Sequence, residues 1–408
     1  MTQTDETTGA AEAGPPDAIT CRSCHRPAVE VFYAVDGVPT NSVLLLESEG
    51  EARELPTGDV RLGHCSACGH VFNTAFRPEL TEYSGRYEST QAYSGTFNAF
   101  HRRLAEDMIE RFDLHGKEII EIGCGNGEFL VLLCELGGNS GVGFDPAYLP
   151  DRVPTQPGTD IEFVADFYSD RHVDRQADLV TCKMTLEHII DTGDFVANVR
   201  RAIGDRLDTV VCFQIPNGRY VLGDLAFWDV YYEHCSYFTH GSLARLFRQE
   251  RFEVTDLWTD YDDQYLVVAA RPTAEPTEPS LPAEDDLDEV AREVERFARE
   301  VPQRLDAWRR ELREHHDAGR TVVLWGGGSK GVAFLTTLGL GEEIAAAVDI
   351  NPNKSGTYMA GTGHRIVGPD ALVELRPDVV IVMNPIYTDE IRADLASRDL
   401  HPELRPVE

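Results

Sequence analysis

The stretch EIIEIGCGNGEF, residues 118–129, constrains this chain more than any other. Ile119, Ile120 and Ile122 are bulky and apolar, as in a parallel strand buried on both faces. Gly123, Gly125 and Gly127 follow, and such a turn lets a ligand lie close against the backbone. Beyond them, Phe129, Leu130, Leu132, Leu133 and Leu136 recur on one face of a helix. Strand, glycine turn and helix open a βαβ unit of the kind that holds nucleoside-bearing ligands. Its second strand is expected to end at GVGFD, where Asp145 stands 22 residues after Gly123. A carboxylate there can accept both hydrogen bonds of a ribose diol.

The spelling of the turn separates two ligands. The dinucleotide form, G-x-G-x-x-G, sets a pyrophosphate on the helix N-terminus. Here the form is G-x-G-x-G, with the acid Glu121 inside the strand and Asn126 between the last two glycines. That pattern resembles the first motif of class I S-adenosylmethionine (SAM) methyltransferases. SAM carries no phosphate, so an acidic Glu121 is tolerated and can face its cationic end. The resemblance implies a cofactor held by Glu121, Gly123, Gly125, Asn126, Gly127 and Asp145. It also implies Asp166, at the end of an expected third strand IEFVADFY, as acceptor for the adenine amino group. NAD, or a glycine-rich turn with no ligand, is the alternative.

A chain of 408 residues has room for two or three domains. Its 37 basic against 70 acidic residues leave a formal charge of −33, with no basic run. That argues against nucleic-acid or membrane-surface partners, which need clustered Lys and Arg. There is no apolar run of about 18 residues and no signal-peptide pattern, so the chain reads as cytoplasmic. Nine cysteines, several in metal-like pairs, suit a reducing compartment.

Taken in order, residues 1–18 are small, polar and Pro/Gly-rich, a disordered tail. Residues 19–80 carry Cys21-x-x-Cys24 and, about forty residues on, Cys65-x-x-Cys68. Four thiolates close a tetrahedral Zn²⁺ site with no open position, so the metal would be structural. A redox pair is the alternative, and His25, His64 and His70 are bystanders unless one replaces a thiolate. Residues 81–116 form a helical lead-in, with a helix from about Thr96 striped by Phe97, Phe100, Leu104, Met108 and Phe112. Tyr83, Tyr87 and Tyr93 precede it, either as surface aromatics or reaching over a ligand.

Residues 117–272 are expected to form the SAM domain. A fourth strand at 177–184 delivers Glu187 and His188 just past its C-terminal edge, where parallel sheets bind ligands. A fifth, at 208–216, leads into FWDVYYEHCSYFT, which packs Tyr231, Tyr232, Glu233, His234 and Tyr237 into seven positions. A histidine supplies a base near neutral pH, and an adjacent carboxylate can orient it. Tyrosine hydroxyls can donate to a developing enolate oxygen. An aromatic surface loop is the bland alternative, and Cys235 reads as packing. A helix and two strands then close the sheet, the last antiparallel.

Residues 273–318 read as an acidic, Pro-rich linker and an amphipathic helix carrying Val290, Val294, Phe297 and Val301. Residues 319–408 restart the α/β theme. Gly326, Gly328 and Gly331 have the true G-x-G-x-x-G spacing, and Asp349 stands 18 residues beyond. This second Rossmann-like unit can hold NAD, a nucleotide sugar or nothing. A pyrophosphate suits its turn.

The layout as a whole resembles the sugar C-methyltransferases of deoxysugar biosynthesis. The four cysteines, EIGCGNG, TLEHI, YYEHCSYF, GGGSKGVAF and VDINPNKSGTYMAGTGHRIVGP carry the resemblance. It implies an α/β fold: a class I SAM methyltransferase domain flanked by a small zinc-binding domain and a C-terminal Rossmann-like domain. It implies methyl transfer from SAM to a ring carbon beside the ketone of a nucleotide-linked 4-keto sugar. In that pattern His234 is the base, Glu233 and Tyr231 are its companions, and His188 and Tyr87 line the site. Two positions depart from it. Many relatives have Asn four residues before the fourth-strand His, where this chain has Met184. Many also have a Gly pair where it has Asp262-Asp263-Gln264. The competing readings are O- or N-methylation of a related acceptor, a non-catalytic scaffold, and an NAD-dependent sugar oxidoreductase. The last lacks a Tyr-x-x-x-Lys pair after the C-terminal turn. Monomer and homodimer fit equally.

Overall fold

The computed structural model describes residues 18–150, 152–172 and 175–408. The expected tail at 1–18 therefore lies, save Ala18, outside the described residues. The chain opens with β1 (Val29–Pro39), a short α1 (Glu49–Arg53), β2 (Thr57–Cys65) and β3 (Val71–Asn73), antiparallel in that order. Next comes α2 (Gly95–Phe112), started by Ser94, whose hydroxyl accepts the Phe97 amide at 3.1 Å. Asp113, in the left-handed region, ends it. Phe97, Phe100, Leu104 and Met108 are buried and Phe112 is half-buried, as the apolar stripe predicts.

The central unit runs β4 (Glu118–Ile122), α3 (Glu128–Gly137), β5 (Ser140–Phe144), β6 (Ile161–Val164), β7 (Leu179–Lys183), α4 (Thr192–Ile203) and β8 (Val210–Pro216). It continues through α5 (Gly218–Gly223), β9 (Ser236–Tyr237), α6 (His240–Gln249), β10 (Phe252–Asp260) and β11 (Tyr265–Pro272). Seven of these strands form a sheet in the order β10-β11-β8-β7-β4-β5-β6, with β11 antiparallel to both its neighbours. Chain order runs outward from β4 to β6 on one side and returns through β7 to β8 on the other. The crevice between β4 and β7 is thus the switch point, where open α/β sheets bind ligands. One expected face is corrected. The buried stripe of α3 is centred on Leu130, Leu133, Cys134 and Gly137, which leaves Leu136 outside it and 37% exposed.

β9 does not join this sheet. It pairs with β3 and completes the N-terminal one, order β1-β2-β3-β9. Residues 273–286, read as linker, are anchored. Glu284 is buried and takes Arg248 through both oxygens, at 2.8 and 2.7 Å. Asp286 accepts the Gly241 amide at 2.8 Å and the Thr239 hydroxyl at 2.6 Å at the head of α6. The acidic composition reflects specific pairing here.

The long α7 (Leu287–Asp317) buries Val290, Val294, Phe297 and Val301, and then Trp308 and Leu312. It leads to β12 (Val322–Trp325), α8 (Ser329–Leu338), β13 (Ala346–Val348), β14 (Ile366–Val367), β15 (Val379–Val382) and β16 (Glu403–Pro406). These strands form a parallel sheet, order β14-β13-β12-β15-β16. A single apolar cluster joins Tyr33 and Leu46 of the N-terminal unit, Phe227 and Trp228 ahead of β9, Phe297 of α7 and Phe334 of α8. The segment around β9 is therefore the seam of all three units. Among the described residues, no helix is long and apolar enough to cross a membrane.

Candidate active site

The glycine turn after β4 is built for close approach. Gly123, Gly125 and Gly127 have φ of +71°, +57° and +92°, which side-chain-bearing residues rarely adopt. A Cβ on Gly123 would sit 1.9 Å from the Thr185 hydroxyl, and one on Gly127 would sit 2.4 Å from the Phe163 ring. Asn126 lies between them, half-exposed. Asp145, just past β5, accepts the Gly125 amide at 2.9 Å and the Ala147 amide at 2.8 Å, one on each oxygen. That fixes the carboxylate and leaves lone pairs on both oxygens. Glu121 is buried, its Oε2 has no partner, and burial pushes its carboxyl up. Asp166 follows β6, accepts the Phe167 amide at 2.8 Å and pairs with Arg171 at 2.8 Å. Phe167 beside it is 61% exposed.

A second cluster lies past β7 and β8. His234 Nε2 is 2.7 Å from the Tyr231 hydroxyl. His188 stands edge-on to the His234 ring at 5.0 Å, and its Nδ1 donates to the Glu233 carbonyl at 2.9 Å. That bond leaves the neutral ring's lone pair on Nε2. Glu187, 1% exposed, has an oxygen 4.0 Å from His188 Nε2 and 3.9 Å from His234 Nε2, and neither oxygen has a hydrogen-bond partner. Burial pushes its carboxyl up to about 8. Burial lowers His188 to about 4 and, helped by the charges of His188 and Lys330, takes His234 well below the imidazole range.

Glu233 is also buried, and burial raises it to about 7 against hydrogen bonds from Ser42, Asn41 and Tyr87. Ser42 donates to its Oε2 and lies 2.7 Å from the Ser329 hydroxyl on α8. Next to Ser329, Lys330 donates to Asp229 at 2.8 Å and to Gln264 at 2.9 Å. Tyr83 packs on Tyr87 at 5.4 Å and on His188 at 5.9 Å, while Tyr93 stays on the surface. Tyr87, His188, Tyr231, Glu233 and His234 thus meet, drawn from parts of the chain distant in sequence.

A family model described as "Methyltransferase domain" matches residues 97–257, and another, "C-methyltransferase C-terminal domain", matches residues 272–399. The chain is a SAM-dependent methyltransferase. The C-methyltransferase NovU of Streptomyces niveus is 29% identical to it over 325 residues, 75% of this chain and 76% of that one. Both the second model and NovU are described as C-methyltransferases, and the seven-stranded sheet of this methyltransferase is the class I fold. Solved structures resemble part of it. The 1,6-didemethyltoxoflavin-N1-methyltransferase of Burkholderia thailandensis is 19% identical, covering 42% of this chain and 78% of its own at a TM-score of 0.34. The magnesium protoporphyrin IX methyltransferase of Synechocystis PCC 6803 is 12% identical, covering 44% and 84% at 0.35.

The four N-terminal cysteines of the methyltransferase converge. Cys21 and Cys68 sulfurs are 3.6 Å apart, and Cys24 and Cys65 sulfurs 3.7 Å. Thiolates around a tetrahedral zinc at about 2.3 Å stand roughly 3.8 Å apart, whereas a disulfide needs about 2.05 Å. His70 is not among them. It is stacked between Phe72 and Phe238, with Nδ1 3.9 Å from the Cys21 sulfur. In the C-terminal turn, Gly331 lies so close to the strand that a Cβ would be 2.3 Å from the Gly326 carbonyl oxygen. Asp349 there pairs with Lys354 at 3.3 Å and accepts the Asn351 amide at 2.8 Å. Sequence reasoning singled out neither Ser42, Ser329 nor Lys330, and gave Glu187 no task. A Ser-Lys pair opening α8 in GGGSKG was the one available signal.

Proposed function

We propose that this enzyme methylates the carbon beside the ketone of a nucleotide-linked 4-keto-deoxysugar, with His234 as base. The observation that carries this is the His234–Tyr231 contact in a buried site where the imidazole is held neutral. A neutral Nε2 can take the α-proton, and the C–H electron pair passes into an enolate. The Tyr231 hydroxyl, bonded to that nitrogen at rest, can turn to the enolate oxygen. Glu187 then faces a newly formed imidazolium within 3.9 Å. Glu233 holds Tyr87 and Ser42 in place, and His188, fixed by its bond to the Glu233 carbonyl, closes the wall of the site.

The cofactor fits the glycine turn, with Asp145 for the ribose diol and Asp166 beside exposed Phe167 for adenine. Glu121, orphaned and acidic, faces the cationic end. When bound, SAM supplies an electrophilic methyl group. A nucleotide diphosphate suits the C-terminal turn, where Lys354 and the head of α8 offer positive potential and Lys330 leads into the base cluster. The thiolate cluster fits Zn²⁺ with no open position, a structural metal.

The test is mass spectrometry with dTDP-4-keto-6-deoxysugars in D₂O. A product one methylene heavier that has lost its α-hydrogen supports the proposal, as does α-deuterium uptake without SAM. Methylation that leaves the α-hydrogen in place would move the acceptor to oxygen or nitrogen. His234→Ala should lower turnover by about 10²–10⁴-fold while S-adenosylhomocysteine still binds.

A further inference from the structure

One half-buried cation has no task in the base chemistry. Lys183 ends β7, on the sheet face covered by α2 and α3. Its Nζ lies 2.9 Å from His101 Nε2 on α2 and 4.4 Å from the centre of the Phe129 ring at the head of α3. Glu121 projects to the same face. It pairs with Thr181 in the β4–β7 register, and Lys183 stands two residues further along. Across β8, the register partner of Lys183 is Gln214. Gln214 is 2% exposed, and neither its Oε1 nor its Nε2 has a hydrogen-bond partner. Glu121 Oε2 is equally orphaned. Buried polar groups are paired as a rule, so an acid oxygen and an amide left open beside a lysine whose ammonium meets only a neutral imidazole call for a ligand carrying both signs of charge.

The order of strands says which part of the cofactor arrives there. Asp166 follows β6, Asp145 follows β5, the glycines follow β4, and Lys183 ends β7, the next strand across the switch point. With adenine toward Asp166 and ribose at Asp145, the far end of the cofactor passes the glycine turn and reaches β7. That end is an α-amino acid, an ammonium and a carboxylate on one carbon.

We infer that Lys183, with Gln214 and His101 beside it, binds the α-carboxylate of the cofactor's methionine arm while Glu121 takes the ammonium. The inference rests on the cofactor placement proposed above. It explains a lysine facing a site for a cationic cofactor, because it meets the one anionic group SAM carries. Burial lowers the Lys183 pKa, and the Glu121 charge opposes that.

The test compares S-adenosylhomocysteine with 5′-methylthioadenosine, the same nucleoside thioether without the amino acid, by calorimetry on the full zinc-loaded chain. Wild type should prefer S-adenosylhomocysteine by about tenfold or more. Lys183→Met should weaken S-adenosylhomocysteine about 10- to 100-fold and 5′-methylthioadenosine less than about threefold. Gln214→Leu, which removes an orphaned amide and so should fold at least as well, should shift the ratio the same way by less. Equal weakening of both ligands, or of neither, overturns the inference, as does a wild type that does not discriminate. Asp145→Ala reports separately on the placement. It weakens both ligands alike if the ribose lies there and leaves both unchanged if it does not.

Discussion

Glu121, the three glycines and Asp145 fall within 25 residues of chain and two adjacent strands. The groups around His234 come from five segments, residues 41–42, 83–87, 187–188, 231–237 and 329–330, and from all three units of the molecule. The glycine turn is held by its own backbone bonds and one central sheet. The His234 cluster is held by a seam. β9 begins two residues after His234 and is hydrogen-bonded to β3 of the cysteine unit, with the Asn73 amide on the Cys235 carbonyl at 2.9 Å. Damage to the two regions should therefore separate.

The largest separation is expected from the cysteine cluster. Cys65 ends β2 and accepts the Gly69 amide at 2.8 Å in the knuckle that leads into β3. Cys65→Ala should release β3 and with it the β9 anchor of His234. Turnover and α-deuterium uptake should fall about 100-fold or more, while S-adenosylhomocysteine affinity changes by less than about threefold. If cofactor binding is lost in parallel, the two regions are not independent. Gly123→Ala is the converse. A Cβ 1.9 Å from Thr185 at φ +71° must displace that residue. S-adenosylhomocysteine should weaken by about 10- to 100-fold, with α-deuterium uptake in the absence of cofactor retained.

Glu187→Gln sharpens the comparison inside the base cluster. The wild-type carboxyl is raised to about 8 from an ordinary 4.5, so between those values the folded chain holds a proton that the unfolded chain releases. Its contribution to stability is full below 4.5 and is lost as pH rises through 8. The wild-type melting temperature should fall from pH 5 to pH 8, and Glu187→Gln should flatten that slope and melt higher at pH 8. The same change removes an acid that can give up its proton and face the His234 imidazolium as a carboxylate, so α-deuterium uptake should slow about tenfold. A slower exchange with an unchanged thermal slope would leave Glu187 ionised in the resting protein.

How much of this could be read in advance follows the same divide. The glycine turn, Asp145, the α2 stripe and the buried face of α7 depend on neighbours within a few residues, and each stands where the pattern places it. The partners of Glu233 do not. Ser42 and Ser329 are 287 residues apart, and nothing local marks either one. Residues 273–286 look solvated because the cations that Glu284 and Asp286 pair with stand far from them in sequence. Arg248 and Arg245 come to Glu284 and Asp286 only in the folded sheet. β9 is two residues long and has no period to detect. Both departures from the family pattern fall on special backbone. Met184 has φ +49°, and Tyr261, Asp262 and Asp263 have φ of +57°, +57° and +58°. Asn and Gly occupy that region at least cost, so those positions report backbone shape before they report the acceptor. Gln264, in the same turn, joins Lys330 to Asn384 across units.

The smallest effect tests that last point at the joint between the two regions. Met184 follows β7, donates its amide to the Gln214 carbonyl at 2.8 Å, and precedes Thr185, which packs against Gly123. A long side chain in the left-handed region costs about 1–2 kcal/mol, and Asn recovers part of this. Met184→Asn should raise the melting temperature by about 1–2 °C, since a chain of this size shifts roughly 2 °C per kcal/mol. The KM for the acceptor should not move if the residue is there for its backbone. A changed KM with an unchanged melting temperature would instead make Met184 a wall of the acceptor pocket. The relief of strain would then be offset by lost contact with a ligand that reaches from the base cluster to the glycine turn.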